Sequence, residues 1–206
     1  MTRSIRRAGP RWRPCLQGGR RSLVAARRPM AALLLAGGLL VAGTAVALAV
    51  PAAAERPEPK RFEGNEPRLI STDADGTLHL PASACEVYGP ELEYMPEDRA
   101  LGYWHQEDDY CVWQLDVARP GRYVVLFEWS CAVDSAGNSF LLTAGESQLK
   151  GRVPTSGGWD RHLWAAFGEV DLARGRQELS IRPLPEVRRA LMDLRTVRLV
   201  PVVESR

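Results

Sequence analysis

The sequence predicts an all-β fold, a β-sandwich or jelly roll, and three observations predict it. Short runs of alternating apolar and polar residues recur from Leu69 to Val200. Turns bearing Gly and Pro separate them at intervals of about eight to twelve residues, the spacing of sandwich strands. No segment beyond the N-terminal leader carries a helical period of apolar residues. The total, about nine or ten short strands, also suits an open barrel, which is the second architecture.

In chain order, residues 1–54 form a leader of different composition, with nine of the 27 Lys and Arg and none of the 25 Asp and Glu. The stretch from Ala31 to Val50 carries no charge, follows Arg27-Arg28 and runs into Pro51-Ala52-Ala53-Ala54-Glu55. A basic start, an apolar middle and small residues at the end are the parts of a signal peptide, cleaved to leave a chain starting at Glu55. The same run is long enough to cross a bilayer as an uncleaved N-terminal anchor. Both readings are extracytoplasmic: a periplasmic or secreted domain in the first case, a membrane-tethered one in the second, because basic residues stay on the inner side. Beyond the leader stand eighteen Lys and Arg against 25 acids, a formal charge of −7, so the whole-chain value of +2 comes from the leader. A folded part this acidic lacks the basic footprint that nucleic acid requires.

Residues 55–68 carry three prolines and little to bury, the composition of a linker, and the sandwich domain spans 69–206. Its first strand falls near Leu69–Thr72, and Asp73-Ala74-Asp75-Gly76 is a turn; the acids there do not meet a twelve-residue calcium-loop pattern. Strands follow at Thr77–Leu80, Ala84–Val87 with Tyr88, and Leu92–Met95. Leu101–His105 then brings Tyr103 and Trp104 together. Two accounts suit that pair: one ring packs while the other covers a sheet edge, or both serve binding.

The stretch Asp109–Cys131 organises the rest. Cys111, Trp113, Leu115 and Val117 alternate with polar residues, and Tyr123, Val125, Phe127 and Trp129 do so after Ala118-Arg119-Pro120-Gly121. The Pro-Gly pair at the turn predicts an antiparallel hairpin. Cys111 and Cys131 would then stand near opposite ends of its arms, either as a disulfide or, with Cys85, as three buried thiols. Further strands fall at Ser139–Thr143, Gln148–Val153, Leu163–Leu172 with a glycine bulge, Gln177–Arg182 and Ala190–Val200. The loop Pro154–Asp160 places two glycines before Trp159, which permits close backbone approach beside a large flat ring.

Little in this chain suits catalysis. The domain holds His79, His105 and His162 as its only histidines, and shows neither a nucleophile elbow nor a phosphate-cradling glycine loop. Its carboxylates are numerous and none is marked out as a pair, so an enzyme is not expected. Tyr94, Tyr103, Trp104, Trp159, His162 and Trp164 instead lie in or beside loops, where an aromatic face can stack on the apolar face of a sugar.

These elements together resemble a family. Ala84-Cys85-Glu86 with Gly89, Asp109-Tyr110 with Val112-Trp113, Pro120-Gly121-Arg122-Tyr123 before Trp129-Ser130-Cys131, Thr155–Trp159, Leu172 with Gly175, and Met192-Asp193-Leu194 occur in the order and spacing of carbohydrate-binding-module-like jelly rolls of secreted bacterial proteins. The resemblance covers Leu80 to Pro201. It implies a non-catalytic domain binding a polysaccharide or cell-surface glycan, and a structural calcium, which falls on Glu86 and Asp193. The sugar site falls on Tyr103, Trp104 and Trp159, with His162 and Arg188 beside them; Val187-Arg188-Arg189 before the last strand favours an acidic ligand. The alternative is a ligandless structural sandwich that packs against a protein partner.

Overall fold

Alternation along each run decides which residues turn inward, and the pairing partners decide which sheet each run joins. A computed structural model describes residues 56–203, so the leader and its cleavage or anchor readings lie outside the described residues. The described residues form twelve strands: β1 (Leu69–Ser71), β2 (Leu78–Pro81), β3 (Glu86–Tyr88), β4 (Glu93–Met95), β5 (Ala100–Gly102), β6 (Tyr110–Val117), β7 (Gly121–Ser130), β8 (Ser139–Ala144), β9 (Ser147–Arg152), β10 (Leu163–Leu172), β11 (Gly175–Pro183) and β12 (Asp193–Pro201). They form two sheets, a β-sandwich. The first runs β1-β6-β11-β8-β9 with β3 also on β6; the second runs β10-β7-β12-β5-β4 with β2 also on β12. All pairings are antiparallel except β1 with β6.

The expected hairpin is corrected. Strand β6 pairs with β1, β3 and β11, whereas β7 pairs with β10 and β12 in the other sheet. Residues 118–120 carry the chain across the sandwich, and the Tyr123 hydroxyl donates to the Arg119 carbonyl at 2.6 Å to brace the crossing. Both runs have one apolar face, and that pattern fits strands side by side or strands facing each other across a core. Their large inward residues favour facing: Trp113 from β6 and Tyr123, Phe127 and Trp129 from β7 are all buried. Burial of each such ring contributes about 1.5–3 kcal/mol. Cys111 consequently sits on the first sheet and Cys131 just beyond the end of β7 of the second, and Cys85, Cys111 and Cys131 are all buried free thiols.

The glycine bulge is present, as a register shift between Ala166 and Gly168 opposite β7. Gly168 has φ of +148°, and a Cβ there would lie 2.5 Å from the Leu149 side chain. The shift lets β10 turn Phe167 onto the core, where its ring stacks 4.6 Å from Phe127.

Residues 56–68 are not a free linker. Arg56 donates to both carboxylate oxygens of Glu178 at 2.9 and 2.6 Å, and the Lys60 amide donates to the Val87 carbonyl at 2.8 Å. Buried Asn65 donates its side-chain amide to the Cys85 carbonyl at 2.9 Å, and Phe62 packs against the core. Charge and proline made this segment look solvated; one asparagine and one phenylalanine attach it to the domain.

Candidate functional site at the loop end

The ends of β5, β7, β9 and β11 and the starts of β6, β8, β10 and β12 meet at one end of the sandwich, as the pairs Leu101 with Leu194, Ser130 with Asp193, Leu163 with Trp129, and Ser139 with Arg152 require. Loops 103–109, 131–138, 153–162 and 184–192 therefore share that end. Side chain to backbone hydrogen bonds knit them together. The Asp109 carboxylate, fully buried, accepts from the amides of Glu91, Leu92 and Gln106 at 2.9 Å and of His105 at 3.2 Å. Asn138 donates to the carbonyls of Ser135, Arg188 and Ala190 and accepts from the Arg188 amide at 2.8 Å. Ser156 accepts from the Cys131 amide at 2.9 Å, and the Leu191 amide donates to the Trp104 carbonyl at 2.9 Å. Such buried polar groups cost stability unless satisfied, and their pairing here fixes the loops.

Within this frame Tyr103 is offered to solvent. Its φ of +57° turns it outward between buried Gly102 and Trp104, leaving it 54% exposed, with its ring edge-on to His105 at 6.1 Å. Trp159 is 37% exposed. Gly157, at φ +104°, makes the turn that precedes it, and the Trp159 carbonyl accepts from the Ser130 hydroxyl at 2.8 Å. His162 shares that hydroxyl through Nε2 at 3.3 Å. With the Ser130 proton committed to Trp159, Nε2 is the protonated nitrogen of His162. Burial, then Arg195, lowers the His162 pKa, so the ring is neutral at pH 7. Arg188 is exposed, and its guanidinium donates to the Ala136 carbonyl at 2.5 Å.

Trp104 is a correction. It is fully buried and its Nε1 donates to the Asp109 carbonyl at 3.0 Å, so it offers no face to a ligand. The left-handed backbone at Tyr103 turns that ring outward, and the inward member of the Tyr103-Trp104 pair is the tryptophan. Trp164, also drawn from the loop aromatics, starts β10 and stands 44% exposed with the Arg198 guanidinium 4.8 Å from its ring centre.

Glu86 and Asp193 do not come together. Glu86 lies on β3 of the first sheet, accepts from the Tyr88 hydroxyl at 2.7 Å and stands 4.0 Å from Arg56. Asp193 opens β12 of the second sheet, where burial, then Asp98, pushes its pKa up to about 7. A calcium ion needs several oxygens converging on one point. Among the described residues no three Asp, Glu, His or Cys side chains gather in that way. The pair does not fit the ion.

Sequence reasoning missed the members that build the site. Asp109 was hidden in the acidic run Gln106–Asp109, and Asn138 in a Gly-Asn turn. It also missed Val133, 68% exposed, and the Arg189 to Asp134 ion pair at 2.9 Å beside it. A cleft of about 770 Å³ opens elsewhere, on the outer face of the second sheet, lined by Arg68, Glu97, Asp98, Arg99, Glu128 and Arg195 among others. Its charges satisfy one another in part, since Arg195 donates to the Asp98 carbonyl at 2.9 Å and stands 4.0 Å from Glu128.

No family model matches the chain, and no curated protein matches it in sequence. Solved structures do match. A family 35 carbohydrate-binding module from Clostridium thermocellum superposes with a TM-score of 0.52 at 13% identity, covering 61% of this chain and 98% of that one. The CBM35 from Cellvibrio japonicus Abf62 gives 0.50 at 18% identity, covering 62% and 94%. The Cry4Aa toxin of Bacillus thuringiensis gives 0.51 at 12% identity, covering 67% of this chain and 25% of the toxin. At these identities the likeness is one of fold, and the fold is the carbohydrate-binding-module-like β-sandwich.

Proposed function

We propose that this protein is a non-catalytic, extracytoplasmic binding domain that takes a polysaccharide or cell-surface glycan at the loop end. The observation that carries the reading is the placement of Tyr103 and Trp159, two exposed rings on separate loops of one end, each held by a backbone turn of positive φ. A ring fixed in this way loses little conformational entropy on stacking against a sugar. The neutral His162 and the exposed Arg188 supply hydrogen-bonding groups for hydroxyls or acids beside it. Two structures of the same fold, from Clostridium thermocellum and Cellvibrio japonicus, are named as carbohydrate-binding modules, which supports the class of ligand.

Native gels containing neutral and acidic polysaccharides test it. Retardation of the full-length protein by at least one polymer, lost in Trp159→Ala with its circular dichroism unchanged, is the expected result. Free migration through a broad panel would overturn the reading and favour a structural sandwich. The observation behind that second reading is apolar surface: Val133, Leu163 and Trp164 are 68%, 37% and 44% exposed, enough to seat a protein partner. Export is tested by intact mass. A product starting at Glu55 supports cleavage, and a full-length product in the membrane fraction supports a tether.

A further inference from the structure

We propose that Arg152 and Arg188 form an anion subsite, and that the polysaccharide taken at the loop end is acidic, carrying carboxylate or sulfate groups; this rests on the reading of that end as a glycan site. Arg152 ends β9 and its Nε donates to the Gly137 carbonyl at 2.8 Å. Arg188 comes from loop 184–192, and its Nη2 donates to the Ala136 carbonyl. The two guanidinium groups converge over one glycine. A Cβ placed on Gly137 would lie 3.8 Å from Arg152 Nε, 3.9 Å from Arg152 Nη2 and 3.9 Å from Arg188 Nη2.

Two like charges brought this close repel unless an anion lies between them. Among the described residues neither arginine has a carboxylate within 4.0 Å, although the adjacent Arg189 does, holding Asp134 at 2.9 Å. The convergence is built into the backbone. The Gly137 amide donates to the Val153 carbonyl at 2.8 Å, the Val153 amide returns to the Asn138 carbonyl at 2.9 Å, and Asn138 clamps Arg188 from both sides of its peptide. Gly137 itself has φ of +98°, a conformation that favours glycine and leaves the space open. Both side chains are exposed, so the donors not spent on carbonyls face solvent as planar forks suited to an oxyanion.

Positive charge continues from this pair along the outer face of the first sheet. Lys150 stands two residues before Arg152 on β9, and Leu141 separates it from Arg182 in register. In a domain whose formal charge is −7 from residue 55 onward, this strip is where a polyanion would meet least repulsion.

Calorimetric titration of the full-length protein with oligogalacturonate, chondroitin sulfate oligosaccharides and neutral cello-oligosaccharides tests the proposal. Binding to one or both acidic ligands, weakened by added salt, is expected; whichever acidic arm binds names the group as carboxylate or sulfate. The double variant Arg152→Gln/Arg188→Gln should lose about ten-fold or more of that affinity, as charged hydrogen bonds of this kind require. Should that variant fail to fold, Arg152→Lys/Arg188→Lys keeps the charge and loses the forks, and is expected to bind several-fold more weakly. Unchanged acidic binding in the folded Gln variant, or in the Lys variant, would overturn the proposal. Salt-independent binding to neutral ligands alone would overturn it while leaving the glycan reading intact. Absence of binding to any of the three would overturn it, and free migration through the broad polysaccharide panel as well would overturn both.

Discussion

The two ends of this sandwich are built from different materials. At one end three of the connections are tight, 118–120, 145–146 and 173–174 joining strands through Gly121, Gly145 and Gly175, all at positive φ, while 72–77 joins β1 to β2 over six residues. At the other, loops 103–109, 131–138, 153–162 and 184–192 are longer, and five of the seven buried polar residues among the described ones (Asp109, Ser130, Ser135, Asn138 and Ser156) lie in or against them. A tight turn needs only local backbone freedom. A long loop must satisfy its own amides and carbonyls, and the side chains that do so here also fix what the loops display. The difference marks the loop end as the place where this fold can hold side chains rigidly toward solvent, which is what a binding surface needs.

Substitutions sharpen this contrast, beginning with the largest effect. Trp104→Ala is expected to destabilise the fold by about 3–5 kcal/mol in a denaturant titration, as for any fully buried large ring. A change within about 0.5 kcal/mol would return Trp104 to the surface. Asp109→Ala strands four backbone amides and should cost on the order of 3 kcal/mol, whereas Glu146→Ala in the tight turn 145–146 should move stability by no more than about 0.5 kcal/mol. Equal effects at the two ends would remove the distinction between them.

A smaller effect is expected from pH. Asp193 is held more protonated in the folded chain than in the unfolded one, by burial first and then by Asp98, with Arg195 and His105 opposing. As pH rises from the ordinary carboxylate range to about 7, the folded state is therefore the one that must give up a proton, and stability falls through that window. Asp193→Asn should flatten the fall and leave the protein more stable at neutral pH, by roughly 1 kcal/mol or more. A steeper dependence in the variant would show that the carboxylate is stabilising. Smallest of all is the effect of a chelator: with Glu86 and Asp193 on separate sheets, the melting temperature should stay within about one degree, and a larger drop would restore a structural calcium.

Strand positions were legible because alternation and turn residues are local signals. Even the bulge in β10 showed itself through Gly168. Sheet membership was not legible: β6 and β7 read as a hairpin, since one apolar face per strand does not say whether the neighbour lies beside it or across the core. The same limit explains the expected calcium pair, since Glu86 lies on β3 beside β6 and Asp193 on β12 of the other sheet. At the loop end, composition pointed to Tyr103, Trp159, His162 and Arg188, but adjacency could not separate outward Tyr103 from inward Trp104. Asp109 entered only as one element of the family resemblance and Asn138 not at all, because what distinguishes their role is the set of distant amides and carbonyls that converge on their side chains.

The most direct test of the loop end as the ligand-binding end is amide chemical-shift mapping of the full-length protein with an oligosaccharide of a polymer that retards it. Shifts should cluster in 103–109, 131–138, 153–162 and 184–192 and leave 118–120, 145–146 and 173–174 unmoved. Shifts gathered at the tight turns, or on the outer face of the second sheet around Glu128 and Arg195, would contradict it.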